Sequence, residues 1–191
     1  MIKWKGWNII VKKYKNGEYE GKMKNGKKEG KGIATYINGD KYEGEWKNNK
    51  MEGKGIYYYN EKGDKYDGEW KEGKKEGKGI YYFKNGNYYK GEFKNDEYEG
   101  RGIYYYHNGD KYDGEWKNDK KNGKGIYYFL IGHKYIGDWV NDKKEGNGIF
   151  YYNNGNKYDG EWKNDLMNGK GIFYYFDGNK FEGEWKDGVQ I

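Results

Sequence analysis

Two consecutive stretches decide the fold: YDGEWKNDKKNGKGIYYFLIGHK, Tyr112 to Lys134, and YIGDWVNDKKEGNGIFYYNNGNK, Tyr135 to Lys157. They align without a gap over 23 residues. Working outward, the same unit begins at Tyr19, Tyr42, Tyr66, Tyr89 and Tyr158, and a further one opens at Phe181 and runs half way, to Ile191. The unit at Tyr42 carries one extra residue, near Glu61 and Lys62. Residues 1–18 look like a degraded second half, with Val11 and Tyr14-Lys15-Asn16-Gly17 in matching places. Of 34 glycines, 29 fall in four columns, those of Gly44, Gly53, Gly55 and Gly63. A period of this size marks an array in which each unit buries its core only against its neighbours.

Each unit reads as a β-hairpin. Tyr42, Gly44 and Trp46 share one parity, and Glu43, Glu45 and Lys47 share the other. Alternation of period two is the mark of a strand with one wet face. The pairs Asn48-Asn49, Glu72-Gly73, Asn95-Asp96 and Asn118-Asp119 come next. Such residues tolerate positive φ and suit a tight hairpin turn. A β-prone run follows, Gly53 to Tyr59. A glycine loop such as Asn108-Gly109-Asp110 then leads to the next unit. Strands at about 4.8 Å spacing give roughly 10 Å per unit, and strand twist bends the array into a trough. Seven units would span on the order of 70 Å at that spacing.

The glycine columns are read as seats for rings. Gly44, Gly68, Gly91, Gly114, Gly137 and Gly160 each sit between two aromatics of the same parity. They leave room for a ring from a neighbouring strand. Gly53, Gly55, Gly77 and Gly79 are expected to do the same in the second strand.

Composition fits such an array. Charged residues outnumber hydrophobic ones, 36% against 34%, which resembles a disordered chain. Aromatics at 21% argue otherwise, and 37 basic residues against 31 acidic ones nearly cancel. There is no cysteine, so disulfides, thiolate metal sites and cysteine nucleophiles are absent. The apolar run Ile9-Ile10-Val11 is too short and lysine-flanked for a signal peptide, and nothing reaches membrane-spanning length. The expectation is a soluble, cytoplasmic protein.

The pattern Y-x-G-x-W-x-x-x-x-x-x-G-x-G-I-x-x-Y, followed by a glycine loop, resembles the MORN repeat over residues 19–191. Departures are few. Met23 and Phe93 stand for the tryptophan, Thr35 for one tyrosine, and Phe181 opens the last unit. The resemblance implies an all-β, elongated, single-layer solenoid of stacked antiparallel hairpins. Residues 1–18 are then a degenerate capping half-repeat and 19–191 the solenoid. It also implies scaffold or tethering work at membranes or the cytoskeleton, with a partner's helix in the trough of some members and phosphoinositides proposed for others.

Chemistry is sparse outside the columns. His107 and His133 lie in different loop columns and read as solvated loop residues, short of a zinc or catalytic set. Glu45, Glu69, Glu92, Glu115, Asp138, Glu161 and Glu184 form one column, each near a lysine. That suggests a cross-strand charge ladder rather than a glycosidase pair. Serine is absent, which removes a serine triad, and the Gly-x-Gly pairs lack the rest of a nucleotide fingerprint. No enzyme, cofactor or metal is expected.

What remains is binding. The second strand is aromatic at consecutive positions, as in Tyr57-Tyr58-Tyr59, so rings must reach both faces. Tyrosine and tryptophan offer contact area at low entropic cost. The candidate partner groove is Trp46, Tyr59, Trp70, Phe83, Phe93, Tyr106, Trp116, Phe129, Trp139, Tyr152 and Trp162. Its expected occupant is an amphipathic helix or an extended segment of a protein partner. The alternative is an anionic phospholipid surface, since 36 of the 37 basic residues are lysine. A glycan-binding module fits the spacing less well. Nucleic acid is not expected, because acids interleave with the lysines. An open last strand, Phe181 to Asp187, suggests homodimerisation through an end or a face.

Overall fold

A computed structural model describes residues 9–191. Of the expected capping half-repeat, residues 1–8 lie outside the described residues. The described chain forms seventeen β-strands and no helix. It divides into two compact units, at Asp96 and Glu97.

The first unit is an antiparallel meander of β1 (Ile10–Tyr14), β2 (Gly17–Lys24), β3 (Lys27–Tyr36), β4 (Lys41–Lys47), β5 (Lys50–Tyr59), β6 (Asp64–Lys71), β7 (Lys74–Tyr82) and β8 (Tyr88–Lys94). The second continues the pattern in β9 (Glu97–Tyr105), β10 (Lys111–Lys117), β11 (Lys120–Tyr128), β12 (Lys134–Val140), β13 (Lys143–Tyr151), β14 (Lys157–Lys163), β15 (Leu166–Tyr174), β16 (Lys180–Lys186) and β17 (Val189–Gln190). Within each unit sequential strands pair, as short connections dictate.

The tight turns are built from the residues that suit them. Asn48 and Asn49 have φ of 51° and 70°, and Asn118 and Asp119 have 49° and 63°. Two successive left-handed residues match the right-handed twist of the flanking strands. The second turn residue also reaches back one repeat. Asp142 accepts the Lys121 N–H at 2.9 Å, while its own N–H donates to the Lys121 carbonyl at 3.0 Å. The extra residue of the unit at Tyr42 is absorbed at the other end. There the Gly63 N–H donates to Tyr59, four residues back, where Gly86 and Gly109 donate three residues back.

One face carries the core. Tyr19, Tyr42, Tyr66, Tyr89, Tyr112, Tyr135 and Tyr158 have no exposed surface. Each ring lies along the sheet over a pair of glycines. A Cβ on Gly68 would fall 2.6 Å from the Tyr66 ring, and one on Gly79 would fall 2.5 Å from it. The ring over Gly68 therefore comes from two residues earlier on the same strand, whereas Gly79 receives it from the neighbouring strand. From β2 to β8 and from β9 to β16 glycine faces glycine along this row, for example Gly79 with Gly91 and Gly125 with Gly137.

Gly53 and Gly77 do not seat rings, contrary to the expectation from sequence. They have φ of 62° and 67°, and the carboxylates of Glu45 and Glu69 lie above them. They form the bulge of each hairpin. Between Gly44 and Glu45 the first strand advances one residue, while its partner moves from Gly55 to Glu52. A β-bulge leaves backbone groups without a ladder partner. Glu45 takes one of them, accepting the Lys54 N–H at 3.3 Å, and Asp138 accepts the Asn147 N–H at 3.1 Å. The carboxylate column serves as bulge caps and, at Lys124–Asp138, as an ion pair of 2.6 Å.

Candidate aromatic binding face

The buried tyrosines and the tryptophans form a seam. Tyr112 meets Trp116 edge to face at 5.2 Å and Trp139 of the next repeat at 5.3 Å. Edge-to-face contact suits the ring quadrupole. Most of these indoles are also tied down, the exception being Trp185, whose buried Nε1–H has no partner among the described residues. Trp46, Trp70, Trp116 and Trp162 donate Nε1–H to the carbonyls of Gly32, Gly55, Gly102 and Gly148 at 2.9–3.1 Å. The phenols close the other end of the seam. Tyr112 donates to the Glu115 carbonyl at 3.0 Å.

A second set of rings lies beside the seam on the same face. In the second unit it runs Tyr104–Tyr106 (4.6 Å), Tyr106–Tyr127 (5.7 Å), Tyr127–Phe129 (4.5 Å), Phe129–Phe150 (5.7 Å), Phe150–Tyr152 (4.7 Å) and Tyr152–Phe173 (5.7 Å). In the first unit Tyr57, Tyr59, Tyr81 and Phe83 repeat the zigzag.

Loop acids hold these rings in place. Asp110 accepts the Tyr127 phenol at 2.9 Å and the Leu130 N–H at 2.8 Å, both from the following repeat. Asp40 does the same for Tyr57 and Asn60, and Asp64 for Tyr81 and Lys84. At the equivalent places His133 accepts the Asn153 N–H and Asn156 accepts the Phe176 N–H, both at 2.9 Å. The rings above them are then Phe150 and Phe173, which have no hydroxyl to satisfy. His133 is thus not a solvated loop residue. Its Nδ1 is an acceptor, and its ring packs edge-on to Phe150 at 5.5 Å and to Tyr152 at 5.7 Å. His107 is exposed. Among the described residues no cluster of three His, Asp or Glu is placed to hold a metal ion.

Lysines fill the gaps between rings. Lys28, Lys121 and Lys144 lie over Trp46, Trp139 and Trp162 at 4.4, 4.8 and 5.0 Å. Burial lowers the pKa of all three. Burial likewise raises the phenols of Tyr19, Tyr59, Tyr106 and Tyr158 to about 12, and those of Tyr42, Tyr112 and Tyr135 further.

All eleven residues of the candidate groove lie on this face, at two depths. Trp46, Trp70, Phe93, Trp116, Trp139 and Trp162 are in the seam, each 6% exposed or less. Tyr59, Phe83, Tyr106, Phe129 and Tyr152 are partly exposed, and Tyr175 continues their row at 42%. Sequence reasoning did not find Tyr175, although its place one repeat after Tyr152 was a sufficient signal.

The MORN repeat profile matches residues 19–41, 42–63, 66–88, 89–111, 112–134, 135–157, 158–180 and 181–190. The chain belongs to the MORN repeat family. No curated protein sequence matches this MORN chain. Among solved structures it is similar to the TCP domain of SAS-4 (dCPAP) of Drosophila melanogaster, in complex with a proline-rich motif of Ana2 (dSTIL). The TM-score is 0.53 at 14% identity, over 97% of this chain and 95% of that one. The TCP10 domain of Danio rerio CPAP aligns with a TM-score of 0.36 at 14% identity, over 92% and 94% of the two chains. The first likeness concerns the fold, a single-layer sheet of hairpins.

Proposed function

We propose that this MORN chain is a non-enzymatic scaffold or tether, cytoplasmic and attached to a cytoskeletal or membrane structure. It binds a segment of a protein partner across the outer ring row. The observation that carries the reading is that row itself. Tyr106, Phe129, Tyr152 and Tyr175 place one partly exposed ring per repeat beside a closed seam. Two strands at about 4.8 Å separate successive rings by about 9.6 Å. One turn of polyproline II is three residues and about 9.3 Å long, and two turns of α-helix are about 10.8 Å. An extended segment therefore stays in step with the rings over more repeats than a helix does. The solved TCP domain of similar fold is in complex with a proline-rich motif, which makes a proline-rich segment the first to try.

Capture of partners from cell extract by the full chain, compared with the variant Tyr106→Ala/Phe129→Ala/Tyr152→Ala, tests this. Loss of the captured protein is expected. Undiminished capture by a folded variant would refute the assignment.

A second reading, adhesion to anionic phospholipid, is favoured by one row on the opposite face. In register across the second unit run Tyr105, Lys111, Tyr128, Lys134, Tyr151, Lys157, Tyr174 and Lys180, alternating ring and ammonium. Sedimentation with phosphatidylserine vesicles at low salt decides it, and absence of binding removes it.

A further inference from the structure

The repeats of one chain serve as controls for each other, and the unit Tyr135–Lys157 departs from its siblings on the face away from the seam. There each first strand of the second unit presents a lysine, a central residue and an acid. β10 reads Lys111, Asp113, Glu115, and β14 reads Lys157, Asp159, Glu161. β4, β6 and β16 also have an acid at the centre, Glu43, Asp67 and Glu182. β12 reads Lys134, Ile136, Asp138. Ile136 pairs with Ile126 on one side and Ile149 on the other, so three aliphatic side chains lie abreast without an intervening charge. Val140, 46% exposed, stands where the siblings have lysine, and Asn147 where most have lysine or arginine. Beside the isoleucines runs an open groove of about 510 Å³, floored by Gly114, Gly125, Gly137 and Gly148. Among the described residues of the second unit no second layer covers it, since every strand there lies in the hairpin ladder.

The charge order of this face is self-complementary. Consider a two-fold axis lying across the strands, along the row of central residues. It lays each first strand antiparallel on its copy, so that lysine meets acid at both ends. Lys111 then faces Glu115, Lys134 faces Asp138, and Lys157 faces Glu161. The residue on the axis meets itself. The same axis sets Asp113, Asp159 and Glu182 against their own copies, a repulsion that the lysine–acid contacts at both ends of each strand offset, whereas at β12 two isoleucines meet and bury apolar surface. Only β12 among the first strands of this unit has an uncharged centre. The charges already have local contacts that the second copy would share or replace. Lys124 pairs with Asp138 at 2.6 Å, Lys157 with Asp159 at 3.7 Å, and Lys134 lies over the Tyr151 ring at 4.5 Å.

We infer that a second copy of this chain docks on this face, centred on Ile136 and framed by Lys134 and Asp138. The surface is opposite the aromatic row, so this inference and the partner assignment fail independently.

The test is the oligomeric state of the full chain by sedimentation velocity over a wide concentration range. The wild type is expected to reach a two-chain species. Ile136→Asp gives β12 the central residue of β10 and β14, so the fold has a precedent for it. This variant is expected to weaken association at least tenfold. Lys134→Glu should weaken it as well, because it sets acid against the acid of the copy. A wild type that remains a single chain throughout overturns the inference, including one that instead sediments with anionic vesicles. So does an Ile136→Asp or a Lys134→Glu variant that associates as the wild type does.

Discussion

The ring of Tyr112 covers Gly125 of the adjacent strand. A Cβ on Gly125 would fall 2.5 Å from the ring edge. The phenol is fixed by donation to Glu115, so the ring has no easy retreat. Gly125→Ala forces the seam apart or breaks that bond. A loss of about 3 kcal/mol is expected, at the upper end of overpacking costs. Gly178→Ala meets no atom within 4 Å, and its cost is that of φ near 90° alone, about 1 kcal/mol. Denaturant melts of the two variants should show that order.

The indole of Trp162 spans the gap to Gly148 with a hydrogen bond of 2.9 Å. Trp162→Phe keeps a ring in the seam, as Phe93 does in its own repeat, but leaves a buried carbonyl without that donor. The expected loss is about 2 kcal/mol, made of the bond and the smaller ring. Thermal unfolding measures it, and the circular dichroism of the folded state should remain unchanged.

Asp110 and Tyr127 form a pair that the chain itself has varied. Asn156 and Phe173 occupy the same places one way, and His133 and Phe150 another. Asp110→Asn should cost about 1–2 kcal/mol and Tyr127→Phe about 1 kcal/mol, with the charge-assisted bond the larger share. The double variant should cost less than the sum by about 1 kcal/mol, the coupling a double-mutant cycle reads. Full additivity would mean that the 2.9 Å contact contributes nothing to stability.

Stability should fall in alkali. The phenols of Tyr19, Tyr59, Tyr106 and Tyr158 are raised to about 12 in the folded chain by burial, foremost among the causes. Above a pH of about 10 the unfolded chain releases phenolic protons that the folded chain retains. The stabilisation is therefore complete below that pH and disappears as the pH rises through the folded values. Lys28, Lys121 and Lys144, lowered by burial, act in the opposite sense over a narrower range. The share of the tyrosinate absorbance that belongs to the buried rings should rise in one cooperative step, together with the loss of β-sheet signal. Gradual titration of that share on an intact sheet would contradict the burial of the tyrosines.

The sequence made the hairpins legible because period two, turn pairs and glycine columns are local signals. Tyr42, Gly44 and Trp46 announce one face by parity alone. The functions of Gly53 and Asp110 were not legible in that way. Gly53 differs from Gly55 only in backbone conformation, a left-handed bulge that has no side-chain signature. Asp110 acts on Tyr127 and Leu130, 17 and 20 residues away, through a contact that exists only once two repeats are stacked. The depth of the candidate groove was hidden for a similar reason. Trp116 and Tyr106 look alike as exposed aromatics on one face. Only packing shows that Trp116 is closed off by Tyr112 and Tyr98 while Tyr106 is not.

The most direct measurement of the central claim is hydroxyl-radical footprinting of the chain with and without its captured partner segment. The account predicts protection of Tyr106, Phe129, Tyr152 and Tyr175, with Tyr128, Tyr151 and Tyr174 on the other face unchanged at chain concentrations too low for self-association. Protection confined to Tyr128, Tyr151 and Tyr174, or unchanged reactivity along the outer ring row, would contradict it.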